Sequence, residues 1–183
     1  MAGHSLILGG ARSGKSRYAE DTALGLALRP IYVATGAAGD GEMAARVAAH
    51  QARRDRRWQT IEEPLDVAQV LARESTAESV ILIDCLTLWL SNLMAAGRDI
   101  GGARDGLLAA LAAAPGPVIM VSNEVGLGIV PMNPVARQFR DEAGYLHQAV
   151  AALAAQVVFM AAGLPLVMKG AAQSVPSPQI PQP

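Results

Sequence analysis

The sequence predicts an α/β fold in which a mainly parallel sheet is flanked by helices, and three observations carry that expectation. Short apolar runs rich in Val, Ile and Leu recur at Leu6–Leu8, Ile31–Ala34, Val80–Ile83, Val118–Val121 and Val157–Met160. Longer Ala-rich stretches of helical character separate them. Within each run the apolar residues are consecutive rather than alternating, which suits strands covered on both faces, as in parallel sheets with helical crossovers. Ligands of such sheets gather beyond the carboxyl ends of the strands, so each candidate site is expected just after a strand.

With 183 residues, 51% of them hydrophobic, the chain suits one catalytic domain over residues 1–170, followed by a disordered tail at 171–183. That tail, AAQSVPSPQIPQP, holds four prolines and no sizeable apolar cluster. Fifteen Lys and Arg against sixteen Asp and Glu give a net charge of -1, no field for holding nucleic acid or an acidic membrane surface. An anion site must then be local. The single Cys85 excludes an internal disulfide framework, and the start MAGHSLILGG lacks the pattern of a secretory signal, so a cytoplasmic location is expected. No formal charge occurs between His147 and Lys169, but this Ala-rich run reads as a helix end, a short strand and a Gly163-Leu164-Pro165 break rather than a membrane span.

The first strand leads into Gly9-Gly10-Ala11-Arg12-Ser13-Gly14-Lys15-Ser16, which matches G-x-x-x-x-G-K-S between a strand and a helix. Small residues let successive backbone N–H groups turn toward phosphate oxygens, and the helix N-terminus adds partial positive charge. Lys15 is placed to reach the outer phosphates and Ser16 to ligate Mg²⁺. Between the second and third strands two weaker helices are expected, GEMAARVAAHQARR and PLDVAQVLARES. The third strand ends at Asp84, a carboxylate suited to the metal side of such a loop; the competing reading makes it a cap for a helix beginning near Leu86. Cys85 reads as a small packing residue.

The next strand ends in Ser122-Asn123-Glu124-Val125-Gly126. Asn123 and Glu124 can position a second substrate or an attacking hydroxyl; equally, they can form a turn before the next helix. The Asn-Lys-x-Asp pattern by which switch GTPases read guanine is not present here. A long helix is expected from Asn133 or Pro134 to about Ala155, carrying His147 as a core or interface histidine.

Arg46, His50 and Arg54 stand four residues apart. On a helix each such step turns only about 40° around the axis, so the three line one face. Like charges at that spacing repel, but against a triphosphate they bind anionic oxygens and keep His50 neutral. A neutral imidazole beside an α-phosphate is a candidate nucleophile, expelling pyrophosphate. The plainer reading is a solvated basic helix.

Taken together, GGARSGKSRYAE, YVATG, EMAARVAAHQARR, the run Trp58–Glu62, LIDCLTLWLSN and VSNEVGLGIVP resemble the bifunctional adenosylcobinamide kinase/adenosylcobinamide-phosphate guanylyltransferase family, over roughly Leu6 to Lys169. The resemblance implies a RecA-like P-loop NTPase fold and a homotrimer. It implies phosphorylation of adenosylcobinamide with ATP or GTP, then transfer of GMP from GTP to adenosylcobinamide phosphate. His50 matches the histidine that carries the guanylyl group. By the same carry-over Gly9 to Ser16 hold GTP phosphates with Mg²⁺, and Ala34, Thr35, Gly36, Gln51, Ala52, Arg53 and Arg54 lie along the nucleotide. Glu62 and Asp84 contact nucleotide or metal; the helical spacing makes Arg46 a support for His50, and the charge balance and composition give no reason to expect a nucleic acid partner or a membrane span. Asp84 stands where some relatives have Glu, keeping the charge and shortening the reach. Gly36-Ala37-Ala38-Gly39-Asp40 is Gly-rich, so the helix with His50 is expected to swing onto bound nucleotide. The rival from another class is a nucleotide-dependent switch that transfers nothing to a metabolite.

Overall fold

A computed structural model of the chain describes residues 3–36 and 57–171. The expected helix with Arg46, His50 and Gln51 to Arg54 lies outside these residues, as do 37–40 and the tail from 172.

The strands are β1 (Ser5–Gly9), β2 (Arg29–Ala34), β3 (Gln59–Glu62), β4 (Ser79–Asp84), β5 (Val118–Asn123), β6 (Gln156–Ala161) and β7 (Leu164–Lys169). The helices, numbered among the described residues, are α1 (Lys15–Gly25), α2 (Val67–Glu74), α3 (Leu86–Ala95), α4 (Ile100–Ala113) and α5 (Pro134–Leu153). One seven-stranded sheet runs β3-β2-β4-β5-β1-β6-β7, parallel except for the last pair. The expected mainly parallel α/β sheet is what forms.

Consecutive apolar residues are needed because each strand feeds two cores. Leu6, Leu8, Ile31, Val33, Ile81, Ile83, Val118 and Met120 pack on one face with α2, α3, α4 and α5. The residues between them, Ile7, Tyr32, Ala34, Val80, Leu82, Ile119 and Val121, pack on the other with Tyr18, Ala19 and Ala23 of α1. Fully burying one such aliphatic side chain stabilises the fold by roughly 1.5–3 kcal/mol. His4 clasps the amino-terminal side of the sheet: Nε2 donates to the carbonyl of Leu111 at 2.8 Å and Nδ1 accepts from the amide of Val118 at 3.1 Å.

Two strands depart from the expectation. Gly163-Leu164-Pro165 is not a break in structure; Ala162 and Gly163, both at positive φ, turn β6 into the antiparallel edge strand β7. Pro165 is tolerated there because an edge strand leaves one row of backbone groups unpaired. The second is β3, four residues of which Gln59, Thr60 and Glu62 are exposed, at the opposite edge. The long helix forms as expected, with the Asn133 side chain accepting from the amides of Val135 and Ala136. Among the described residues no helix is long and apolar enough to cross a membrane.

Candidate functional site

Strand order brings the sequence-predicted groups to one edge. Gly9 pairs with Asn123, Ala34 with both Asp84 and Glu62, and Asp84 with Val121, so the ends of β1 to β5 form a continuous row. The phosphate loop occupies the turn from β1 into α1. Arg12 and Gly14 take positive φ, and the amide of Gly163 donates to the carbonyl of Ser13 at 3.0 Å, bracing the loop against the β6–β7 hairpin. Gly9 cannot carry a side chain: a Cβ there would lie 2.6 Å from Ser13 Oγ and from the carbonyl oxygen of Met160. Ser13 Oγ is itself buried without a hydrogen-bond partner among the described residues.

Lys15 opens α1 and is only 8% exposed, with Nζ donating to the carbonyl of Gly10 at 3.0 Å. Burial pushes its pKa down, and the nearby Asp84 and Cys85 oppose that shift. Among the described residues its hydrogen bond is to one neutral acceptor, with the Asp84 carboxylate near enough to act on its charge. Ser16 follows it in the first turn, half-buried.

Asp84 does not cap a helix. The cap position of α3 is Cys85, which makes no side-chain capping bond, while Asp84 Oδ2 accepts from the hydroxyl of Tyr32 at 2.9 Å. Behind it Thr35, fully buried, binds both backbone groups of Cys85: Oγ1 donates to the carbonyl at 2.7 Å and accepts from the amide at 2.8 Å. Asn92 secures the same turn by donating to the carbonyls of Thr35 and Pro64. Cys85 is buried, and burial followed by the Asp84 charge pushes its thiol up, so it packs rather than reacts.

Glu62 ends β3, exposed, at the far end of the row, and Gly36 lies half-buried just past Thr35. Asn123 turns inward, its amide donating to Thr87 Oγ1 at 2.9 Å. Glu124 lies beside the loop, its backbone amide donating to the carbonyl of Gly9 at 3.1 Å. Tyr32, Asn92, Thr87 and Ser122 fall within the quoted motifs, but the sequence assigns them no role, because each bonds a partner on another strand or helix.

No cluster of three or more His, Cys, Asp or Glu that could hold a metal occurs among the described residues. Mg²⁺ keeps several waters and is held by one or two protein oxygens together with substrate phosphates, and a Ser hydroxyl in the first turn of α1 with a carboxylate ending β4 are oxygen donors of that kind. Ser16 and Asp84 are the residues that fit.

A family model described as cobinamide kinase / cobinamide phosphate guanyltransferase matches residues 5–168. The bifunctional adenosylcobalamin biosynthesis protein CobP of Pseudomonas aeruginosa is 52% identical over 167 residues, covering 90% of this chain and 96% of its own length. The bifunctional adenosylcobalamin biosynthesis protein CobU of Escherichia coli is 36% identical over 182 residues, covering 90% and 98%. Among solved structures, flagellar accessory protein FlaH from Methanocaldococcus jannaschii aligns over 93% of this chain and 82% of its own, with TM-score 0.52 and 13% identity. The type III secretion ATPase EscN of enteropathogenic E. coli aligns over 87% and 43%, with TM-score 0.54 and 12% identity. At such identities the structural likeness speaks for the fold alone, and that fold is the one of P-loop NTPases.

Proposed function

The chain belongs to the cobinamide kinase / cobinamide phosphate guanyltransferase family of bifunctional enzymes, and from that premise we propose that it carries out two transfers on one corrinoid. In the first, the hydroxyl of adenosylcobinamide attacks the γ-phosphorus of ATP or GTP and the nucleoside diphosphate leaves. In the second, His50 attacks the α-phosphorus of GTP and pyrophosphate leaves. An oxygen of adenosylcobinamide phosphate then displaces His50 from the GMP–histidine intermediate, giving adenosylcobinamide-GDP.

The single observation that carries this reading is the row of strand ends, which sets Lys15 within electrostatic reach of Asp84 beside an anion-binding loop. Gly9, Gly10, Ala11, Arg12, Ser13 and Gly14 would wrap the phosphates, and Lys15 would leave the Gly10 carbonyl for phosphate oxygens. Mg²⁺ bound at Ser16 and Asp84 would supply neutralisation of phosphate charge. Ala34, Thr35, Gly36, Gln51, Ala52, Arg53, Arg54 and Glu62 are proposed along the nucleotide, with Arg46 supporting His50. Asn123 and Glu124 are proposed on the second-substrate side. A cytoplasmic homotrimer is the proposed working form; sedimentation tests the assembly.

The test is incubation with α-labelled GTP and Mg²⁺. Acid-labile, alkali-stable label on the protein is expected, absent from His50→Ala. Equal labelling of that variant would remove His50 as the carrier. Lys15→Ala is expected to abolish phosphorylation of adenosylcobinamide, and retained activity would overturn the role of the loop.

A further inference from the structure

Behind Glu124 a line of polar groups runs from the core to the row of strand ends. Ser122, next to last in β5 and fully buried, has Oγ 2.7 Å from Nε2 of His147 on α5. Nδ1 of His147 lies 4.0 Å from Oε2 of Glu124, and Oε1 of Glu124 accepts from the amide of Gly126 at 2.5 Å. Side-chain exposure rises outward, from 9% at His147 to 22% at Glu124. Burial pushes the pKa of His147 down, opposed in part by Glu124, which favours the neutral imidazole. In the tautomer whose Nε2 accepts from Ser122, the ring proton sits on Nδ1, on the side of Glu124.

The order resembles a Ser-His-acid triad, but Ser122 has no exposed surface, so no substrate reaches it. The accessible end is the carboxylate. Glu124 begins one residue past the Gly9–Asn123 pair, beside the phosphate loop. Its partner Gly126 also lines a cavity of about 280 Å³ with Arg140, Asp141, Gly144, Tyr145 and Gln148.

We propose that Glu124 is the base of the kinase step and that His147, fixed by Ser122, is the positioning residue that aims it. The inference rests on the kinase reading above. As the corrinoid hydroxyl oxygen bonds to the γ-phosphorus, the bond to the leaving nucleoside diphosphate breaks with its electron pair. The hydroxyl proton passes to Oε2 of Glu124. Guanylyl transfer has no such demand, because its acceptor is already a phosphate anion.

The experiment compares wild type, Glu124→Gln, His147→Leu, His147→Asn and Ser122→Ala in two assays: phosphorylation of adenosylcobinamide by ATP, and guanylyl transfer to supplied adenosylcobinamide phosphate. Glu124→Gln is expected to lower kinase kcat by about 10²–10⁴-fold, with KM values little changed and guanylyl transfer affected far less. His147→Leu is expected to lower kinase kcat roughly tenfold, and His147→Asn, whose amide can replace Nδ1–H, to recover most of it. Wild-type kinase kcat in Glu124→Gln, parallel loss of both activities, or His147→Asn no better than His147→Leu would overturn the proposal. Should His147→Leu fail to bind nucleotide, Ser122→Ala decides: selective loss in the kinase assay supports the relay, and equal change in both refutes it. A wild-type protein that does not phosphorylate adenosylcobinamide would remove the underlying reading, and this proposal with it.

Discussion

The hydroxyl of Tyr32 donates to Oδ2 of Asp84 across 2.9 Å, tying the carboxylate at the end of β4 to the neighbouring strand β2. Trp58 stands edge-on against the Tyr32 ring, with centroids 5.9 Å apart and planes at 87°, fixing the phenol's direction. Orientation of a metal-side carboxylate by such a partner is commonly worth 10–100-fold in metal affinity. Tyr32→Phe is therefore expected to weaken Mg²⁺-dependent nucleotide binding by roughly tenfold, and Asp84→Asn by more. Mg²⁺ titrations of fluorescent GTP binding check this, and an unchanged midpoint in both variants would exclude Asp84 from the metal.

Gly14 combines a φ of +93° with close approach to the β6–β7 hairpin, where a Cβ would lie 3.3 Å from the Gly163 Cα. Gly163 also has positive φ, at +79°, but open space around its missing side chain. Both Ala substitutions carry backbone strain of about 1–2 kcal/mol, yet only Gly14→Ala also displaces the loop. Nucleotide affinity is expected to fall at least about tenfold in Gly14→Ala and to change little in Gly163→Ala, although both lower Tm. Equal affinity losses in direct binding assays would contradict this division.

Much of this site was legible because β1, β2, β4 and β5 are buried on both faces and announce themselves as apolar runs, so Asp84 and Asn123 could be placed at strand ends. β3 and β7 escaped because edge strands need no such run: Gln59, Thr60 and Glu62 are exposed, and Pro165 read as a terminator. His147 was read as a core or interface histidine, and it is buried. Its link to Ser122 and Glu124 could not be read, since a 25-residue separation in chain becomes contact only through strand order and helix packing. His50, the proposed carrier of the guanylyl group, lies outside the described residues, so that proposal rests on the sequence alone.

Burial of the Lys15 ammonium weighs against the folded state of the nucleotide-free protein. Burial pushes its pKa down, so folding without nucleotide places an ammonium where its charge is disfavoured. By the sign of linkage, a lowered lysine pKa means the folded state loses stability as pH falls from above about 10.5. At neutral pH that loss is present. Lys15→Met is expected to raise the Tm of the nucleotide-free protein by about 2–4 °C, corresponding to roughly 1 kcal/mol in a chain of this size. It should also remove the further rise that GTP and Mg²⁺ produce in wild type. A lower Tm for the nucleotide-free variant would mean the Lys15–Gly10 bond outweighs the burial of charge.

Two buried histidines resist protonation in the folded chain. His4 donates from Nε2 to Leu111 and accepts at Nδ1 from Val118, and His147 Nε2 shares a hydrogen bond with Ser122 Oγ. Burial lowers both pKa values, with the Leu111 carbonyl opposing it at His4 and Glu124 opposing it at His147. In the unfolded chain both take up protons near pH 6.5, whereas in the folded chain they resist until lower pH. The unfolded state then binds more protons in that window, so stability present above about pH 6.5 is lost as pH falls toward the folded values. Each histidine contributes a slope of at most about 1.4 kcal/mol per pH unit. Urea midpoints between about pH 7.5 and 5.5 are expected to fall in wild type. They should fall less steeply in His4→Gln, whose amide can supply both the donor and the acceptor without titrating. An identical slope would assign the acid sensitivity to groups other than the His4 clasp.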